Sequence, residues 1–151
     1  MPGGATGRSA DGWGALRREM LAAGCPHDLV AREIERRGDL RPREAHRLAR
    51  GWSRRELADR ATAVGAQIAA APCCPQWTAT SPGGRPAVGA AWVGQVERWP
   101  RGGLRPCPHA LTVLAAVLGT TIGRLLDYDD HRNLTDAERA EIVQLVQWQA
   151  G

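Results

Sequence analysis

The sequence predicts an all-α protein. Apolar residues recur at three- and four-residue intervals along most of the 151-residue chain, which is the spacing of one helix face. Two capping boxes, Ser53 with Glu56 and Thr135 with Glu138, mark helix starts, because each pair can satisfy two orphan backbone N–H groups. The hydrophobic content of 43% and the charged content of 24% are those of a globular protein, and the length suits one compact domain with extensions.

The N-terminal third predicts a tail and a helical hairpin. Residues 1–12 are rich in Gly, Ser and Asp without a helical period, so we expect a disordered tail there. Residues 13–41 carry apolar residues at helical spacing in two segments. The first ends at Gly24, and the second opens at Pro26 and ends near Gly38, which gives an N-terminal helical hairpin.

Two further helices follow the hairpin. Pro42 suits the first position of a helix that Gly51 ends, since proline is preorganised there and glycine favours the residue after a helix. Its apolar residues and its arginines occupy different faces: Ala45, Leu48 and Ala49 on one, and Arg43, Arg47 and Arg50 on the other. The Ser53 capping box then opens a helix that extends to Ile68.

A long loop interrupts the helical pattern at residues 71–89. This segment contains four prolines and three glycines, which exclude a regular helix. Connections of this length are uncommon in compact domains and are usually functional or disordered. We therefore predict a loop insert between two packed helices.

The C-terminal half predicts four more helical segments. Three of them run from Ala90 to just before Pro100, from Pro108 to Gly119, and over a short stretch that carries Ile122, Leu125 and Leu126. A C-terminal helix covers residues 134–149 behind the second capping box. The small acidic cluster of Asp127, Asp129 and Asp130 is expected to end a helix rather than to bind a cation.

The charge of the chain is unevenly distributed. All 20 basic residues are arginine, and the net charge is +4 with a pI near 9.4. Residues 41–105 carry eleven arginines against four acids, whereas residues 106–151 carry three against six. Such a concentration is typical of a polyanion-binding surface, and a solvated basic face is the alternative.

Export signals, membrane spans and metal signatures are absent from the sequence pattern. No apolar run approaches the length of a membrane span, and the first residues lack a signal peptide, so we expect a cytoplasmic protein with reduced cysteines. Cys-Pro-His occurs twice, at Cys25 and Cys107, but established zinc sites use other spacings, and a Cys before Pro suits the helix N-cap. Cys73 and Cys74 are candidate reactive thiols. We predict no metal and no cofactor.

The order of these segments resembles a known family. A short helix, the Ser53 box, the motif Val-x-x-Val-Glu-Arg-Trp-Pro-x-Gly from Val93, and an apolar helix closing at Gly119-Thr120 occur in that order. Residues 42–127 are similar to the Cro/lambda-repressor-type (XRE) helix-turn-helix family, in particular its actinobacterial transcriptional regulators. The resemblance implies a five-helix DNA-binding domain with the long loop inside the helix-turn-helix. The implied helices are Pro42–Arg50, Ser53–Ile68, Ala90–Trp99, His109–Leu118 and Thr121–Asp127.

The resemblance also implies DNA contacts. The start of the second implied helix would hold a phosphate on free N–H groups and positive charge. Gln95 is the best base-reading residue, because its amide can bond adenine bidentately. Val93 and Val96 are expected in the core, and Glu97 as the partner of an arginine. The full set of implied DNA-binding residues is Ser53, Arg54, Arg55, Arg85, Ala91, Trp92, Gly94, Gln95, Arg98, Arg101 and Arg105.

The resemblance implies a sequence-specific transcriptional regulator that binds double-stranded DNA. We expect it to act as a homodimer through the C-terminal helix, to associate with the nucleoid when bound, and not to contact membranes. The alternative is a protein-interaction module, an antitoxin or an anti-regulator, that keeps the fold with weak or no base reading. The few polar residues of the third implied helix favour this alternative. An enzyme is not expected, because no nucleophile–base pair, phosphate loop or spaced carboxylate pair occurs.

Overall fold

The computed structural model describes residues 10–65 and 89–150, and within these ranges the chain is all-helical. The predicted class is therefore confirmed for this part of the protein. A 3-10 helix spans Ala10–Trp13, and a second one spans Ile122–Arg124. The α-helices are α1 (Gly14–Ala22), α2 (His27–Gly38), α3 (Pro42–Arg50), α4 (Arg54–Gly65), α5 (Ala90–Arg98), α6 (Pro108–Leu118), α7 (Tyr128–Arg132) and α8 (Asp136–Ala150).

The hairpin of α1 and α2 packs on the apolar face of α3. Trp13 and Ile34 share a buried cluster with Ala45 and Leu48, and each of these side chains is at most 2% exposed. Because Trp13 is buried, the residues just before it are held against the core. Residues 10–12 therefore belong to a 3-10 helix and not to the predicted tail. The remainder of that predicted tail, residues 1–9, lies outside the described residues.

The two Cys-Pro-His segments differ at the helix start. In the second, Cys107 is the N-cap as predicted, and its Sγ accepts a hydrogen bond from the Ala110 N–H at 3.4 Å. In the first, the prediction is wrong, because Pro26 is the N-cap and α2 begins at His27. The Pro26 carbonyl accepts the first helical bonds, which moves Cys25 one position outside the helix.

The main core lies between α4, α5, α6, the second 3-10 helix and α8. Its buried residues come from each of these elements and include Leu57, Val93, Leu111, Ile122 and Ile142. The predicted helix at 90–99 matches α5 closely. The predicted helix from Ser53 matches α4 as far as Gly65, and its last residues, like the loop at 71–88, lie outside the described residues.

The segment after α6 departs from the prediction. We expected a helix over Thr121–Asp127, but only Ile122–Arg124 is helical, as a 3-10 turn. The acidic cluster starts a helix instead of ending one. Asp127 caps α7 in a reciprocal capping box with Asp130, in which each carboxylate accepts the other residue's N–H at 2.9 Å. Carboxylates stabilise the positive end of a helix dipole, which explains why the cluster begins α7.

The second predicted capping box opens α8. The Thr135 N–H donates to Glu138 Oε1 at 2.9 Å, and the Glu138 N–H donates to Thr135 Oγ1 at 3.1 Å. Ile142 of α8 is buried in the main core, whereas Val143 is 52% exposed. Among the helices of the described part, none combines the length and apolar character needed to cross a bilayer.

Candidate nucleic-acid interface

Helix α5 has one buried face and one exposed face. Val93 and Val96 are at most 1% exposed and lie in the main core, as the sequence predicts. Ala91, Gln95 and Arg98 are exposed, and their spacing of four and three residues places them in one stripe along the helix. The helix therefore presents a single edge to solvent while its opposite edge is fixed in the core.

Glu97 fixes α5 to the two preceding helices. Its carboxylate is 2% exposed and accepts from Arg47 Nε of α3 at 2.6 Å and from Arg54 Nε of α4 at 3.0 Å. Charge-assisted bonds from these two arginines offset the desolvation of this buried carboxylate. The structure thus places Glu97 beside arginines, as expected, and it assigns Arg54 to the same cluster.

Arg43 fixes the C-terminal end of α5. Its guanidinium is fully buried and donates to the backbone carbonyls of Val96 at 2.8 Å, of Leu125 at 2.9 Å, and of Trp99. The Val96 carbonyl needs such a donor because Pro100, four residues on, has no N–H. Arg43 therefore replaces the missing helical hydrogen bond and also joins α5 to the segment before α7.

Asp130 neutralises the charge of Arg43. The two residues belong to a set that we call the buried arginine network, which consists of Arg41, Arg43, Asp127 and Asp130. Asp130 is fully buried, and it accepts from Arg43 Nη1 at 3.0 Å and from Arg41 Nη2 at 2.6 Å. Arg41 also donates to Asp127 at 2.8 Å. Burial opposes ionisation of Asp127, but the bonds from the Asp130 backbone and Arg41 outweigh it and hold its pKa below its usual range.

The N-terminus of α4 lies beside the exposed edge of α5. A Cβ atom placed on Gly94 would lie 3.6 Å from side-chain atoms of both Arg54 and Arg98, so these two arginines flank the glycine. Gly94 itself is buried beneath them. Arg55, the next residue of α4, is 75% exposed and lies 3.5 Å from Asp59, a separation too long for a strong ion pair.

Ser53 forms the predicted capping box at the start of α4. Its N–H donates to Glu56 Oε1 at 3.0 Å, and its Oγ accepts from the Glu56 N–H at 3.1 Å. The backbone N–H of Ser53 and then its side chain, both hydrogen-bonded to the Glu56 carboxylate, lower the pKa of Glu56. This geometry confirms the predicted capping role of Ser53.

The four remaining predicted site residues are in four different situations. Arg101 is exposed and forms no ion pair within the described residues. Arg105 pairs with Glu138 of α8 at 3.0 Å, so it connects the segment before α6 to the C-terminal helix. Trp92 is half-buried against the main core and contributes packing. Arg85 lies outside the described residues.

The basic excess of residues 41–105 is largely used inside the protein. Arg43 and Arg47 are buried, and Arg50 is half-buried with its guanidinium on the Leu118 carbonyl at 2.8 Å. These interior roles of the arginines were not predicted from the sequence. The sequence of α3 does indicate them, because its apolar residues lie on one face and its arginines at 43, 47 and 50 lie on the other. A helix with this pattern needs packing partners on both faces.

The cysteines differ from the expectation of reduced thiols. Cys107 is disulfide-bonded, whereas Cys25 is free. The prediction is therefore wrong for Cys107, because the sequence pattern does not reveal which side chains meet in space. Cys73 and Cys74 lie outside the described residues. In the described part of the chain, no group of three or more His, Cys, Asp or Glu residues is arranged to hold a metal ion.

No protein-family model, curated protein or solved structure matches this chain. The arrangement of α4 and α5 is therefore the basis for a functional proposal.

Proposed function

We propose that this chain is a DNA-binding transcriptional regulator of the lambda-repressor-like (XRE) helix-turn-helix type. In this proposal the five helices of the domain are α3, α4, α5, α6 and the second 3-10 helix, Ile122–Arg124. Helices α1, α2 and α8 are additions to that domain. The observation that carries the proposal is the anchoring of α5. Its buried face and its C-terminal end are held by Glu97 and Arg43, and its free edge carries Gln95 and Arg98 next to the start of α4.

Each side chain near that edge has a chemical role in the proposal. The Gln95 side chain is exposed and forms no hydrogen bond within the described residues, so its amide is free to bond an adenine edge in the major groove. Arg98, Arg101 and Arg55 are exposed and suited to phosphates, which set the position on DNA without reading sequence. Arg54 lies above Gly94 at the start of α4, where its guanidinium pairs with Glu97.

One binding experiment tests the proposal. The full chain is titrated with the DNA upstream of its own coding sequence and with random-sequence DNA of equal length, each at two salt concentrations. We expect tighter binding to the upstream DNA and weaker binding to both at higher salt, because released counterions drive the phosphate contacts. Equal binding to the two DNAs would reject sequence-specific regulation.

Three variants assign the roles. Gln95→Ala should reduce the preference for upstream over random DNA by about 5- to 150-fold, the range for loss of one bidentate base contact. Arg55→Ala should weaken binding to both DNAs alike and lower the logarithmic salt slope by about one. Arg36→Ala is the matched control, since Arg36 is an exposed arginine of α2, which packs on the opposite side of α3.

The alternative proposal is a protein-interaction module with the same fold and little base reading. The composition of the exposed edge favours it, because Ala91 offers no polar atom and five arginines, Arg41, Arg43, Arg47, Arg50 and Arg54, have partners within the protein. Equal, weak and salt-sensitive binding to both DNAs is its expected result. A homodimer through α8 and the absence of catalytic activity remain parts of the leading proposal.

A further inference from the structure

The segment after α5, residues 101–105, folds back onto the exposed edge of that helix. The Arg101 N–H donates to the Arg98 carbonyl at 2.9 Å, and the Leu104 N–H donates to the Gln95 carbonyl at 3.0 Å. Leu104 therefore lies beside Gln95, although nine positions separate the two residues in the chain. The segment thus returns to the residue that has the base-reading role in the proposed function.

Two glycines and an ion pair fix this return. Gly102 and Gly103 have φ angles of +97° and +75°, a region that other residues rarely adopt. A Cβ atom on Gly103 would collide with the Gln95 carbonyl oxygen, so glycine is needed for the backbone to approach α5 this closely. At the end of the segment, Arg105 pairs with Glu138 of α8 at 3.0 Å. The backbone of the segment is therefore held in place before any ligand binds.

Leu104 presents an apolar side chain to solvent on this backbone. It is 46% exposed, and the other exposed large apolar residues of the described part lie on α1, α2, α7 and α8. An exposed leucine is ordinary when it stands alone on a protein surface. This one instead lies next to the residue that offers a free amide, on a segment that the protein anchors to α5.

The major-groove edge of an A·T base pair matches this combination of side chains. Adenine offers a donor and an acceptor that one amide can bond together, and thymine offers a C5-methyl group, which is an apolar feature of that groove. Gln95 supplies the amide and Leu104 supplies an aliphatic surface. Contact between the methyl group and the leucine is favourable because it removes both from water.

We propose that Leu104 is a second specificity-determining residue, which contacts a thymine methyl group next to the adenine that Gln95 bonds. This inference rests on the proposed function, because it adds a base feature that is read at the same edge. Burial of one methyl group corresponds to a preference of about fourfold for each thymine contacted. Arg101 is exposed on the same segment and is suited to a phosphate, which would position Leu104 over the groove without reading sequence.

Deoxyuridine provides the test, because it differs from thymidine only by the absence of the C5-methyl group. The full chain is titrated at one salt concentration with the DNA upstream of its coding sequence, and with the same DNA carrying deoxyuridine at every thymine position. We expect the parent protein to bind the thymine DNA about fourfold more tightly or better. Equal affinities for the two DNAs would overturn the proposal.

Two variants assign the methyl contact to Leu104. Leu104→Ala should lose the preference for thymine DNA, whereas Leu29→Ala should keep it, since Leu29 is a leucine of similar exposure on α2. Deoxyuridine also changes the shape of the DNA, and the comparison between proteins cancels that effect. Leu104→Ala is expected to fold, because Leu104 belongs to none of the buried clusters. A preference that persists in Leu104→Ala, or that both variants lose equally, would overturn the proposal.

The same titrations separate this inference from the proposed function. A parent protein that prefers upstream to random DNA but binds thymine and deoxyuridine DNA equally overturns the role of Leu104 alone. A parent protein without preference for upstream DNA rejects the proposed function and this inference with it. A Leu104→Ala variant that keeps the thymine preference and changes its oligomeric state in sedimentation would assign Leu104 to a contact between protein chains instead.

Discussion

Replacement of Arg43 by Met should destabilise the protein severely. The variant keeps the length of the side chain and removes the donors to three buried carbonyls, those of Val96, Trp99 and Leu125. Asp130 keeps Arg41 as a partner at 2.6 Å, so the cost comes mainly from the carbonyls. Each buried acceptor left unbonded costs about 1–3 kcal/mol, which gives roughly 3–9 kcal/mol for the three. A domain is stable by only about 5–15 kcal/mol in total.

The matched control is Arg50→Met. It removes the same charge from the same helix, but the Arg50 guanidinium bonds a single carbonyl, that of Leu118, and is half-buried. We expect a loss of about 1 kcal/mol. Urea unfolding followed by tryptophan fluorescence at fixed ionic strength measures both. Equal unfolding midpoints for the two variants would refute the interior role of Arg43, whereas an unfolded Arg43→Met beside a folded Arg50→Met agrees with it.

Two further predictions concern pH and backbone geometry. The pKa of Glu35 is raised by burial from its usual 4.5 to about 7, so the folded protein retains a proton that the unfolded chain loses, and stability should fall as pH rises through this window. At pH 8 the Glu35→Gln variant should therefore be more stable than the parent protein by about 1–2 kcal/mol, after allowance for solvent screening. At pH 4 the two proteins should have equal stability. Urea unfolding at each pH measures the free energy of unfolding. Gly103→Ala should cost about 2–4 kcal/mol by the same assay, because its φ is +75° and a Cβ atom would lie 2.1 Å from the Gln95 carbonyl oxygen. Gly102→Ala is its control, since φ is +97° there with open space around the Cβ position, and equal losses would show that the contact with α5 is unimportant.

The helices were predictable where their end signals are local. Pro42 and Gly51 bracket α3, and the Ser53 and Thr135 boxes open α4 and α8, because each signal acts within one turn of its own backbone. Helix α7 was missed because its box pairs two aspartates, Asp127 and Asp130, which the sequence shows only as an acidic cluster. The 3-10 turn before it has too few residues to give a period.

The candidate site was predictable only in part. Val93, Val96 and Glu97 occupy the positions expected for them on α5, since they follow from helical spacing and from the resemblance. The spacing within α3 indicates that Arg43 needs a partner, but the partners themselves were not predictable, because Val96 and Asp130 are 53 and 87 positions away in the chain. A guanidinium aimed at solvent and one aimed at buried carbonyls look the same in a sequence.

The attachment of the C-terminal end of α5 to Arg43 has an evolutionary consequence. Arg43 of α3 fixes the orientation of α5, and Asp130 holds Arg43 in place. Selection on the orientation of α5 therefore acts on the residue pair Arg43–Asp130. It places little constraint on the number of residues between α4 and α5. In diverging lineages, insertions and deletions should accumulate in that connection. Positions 43 and 130 should instead be conserved together or be replaced together.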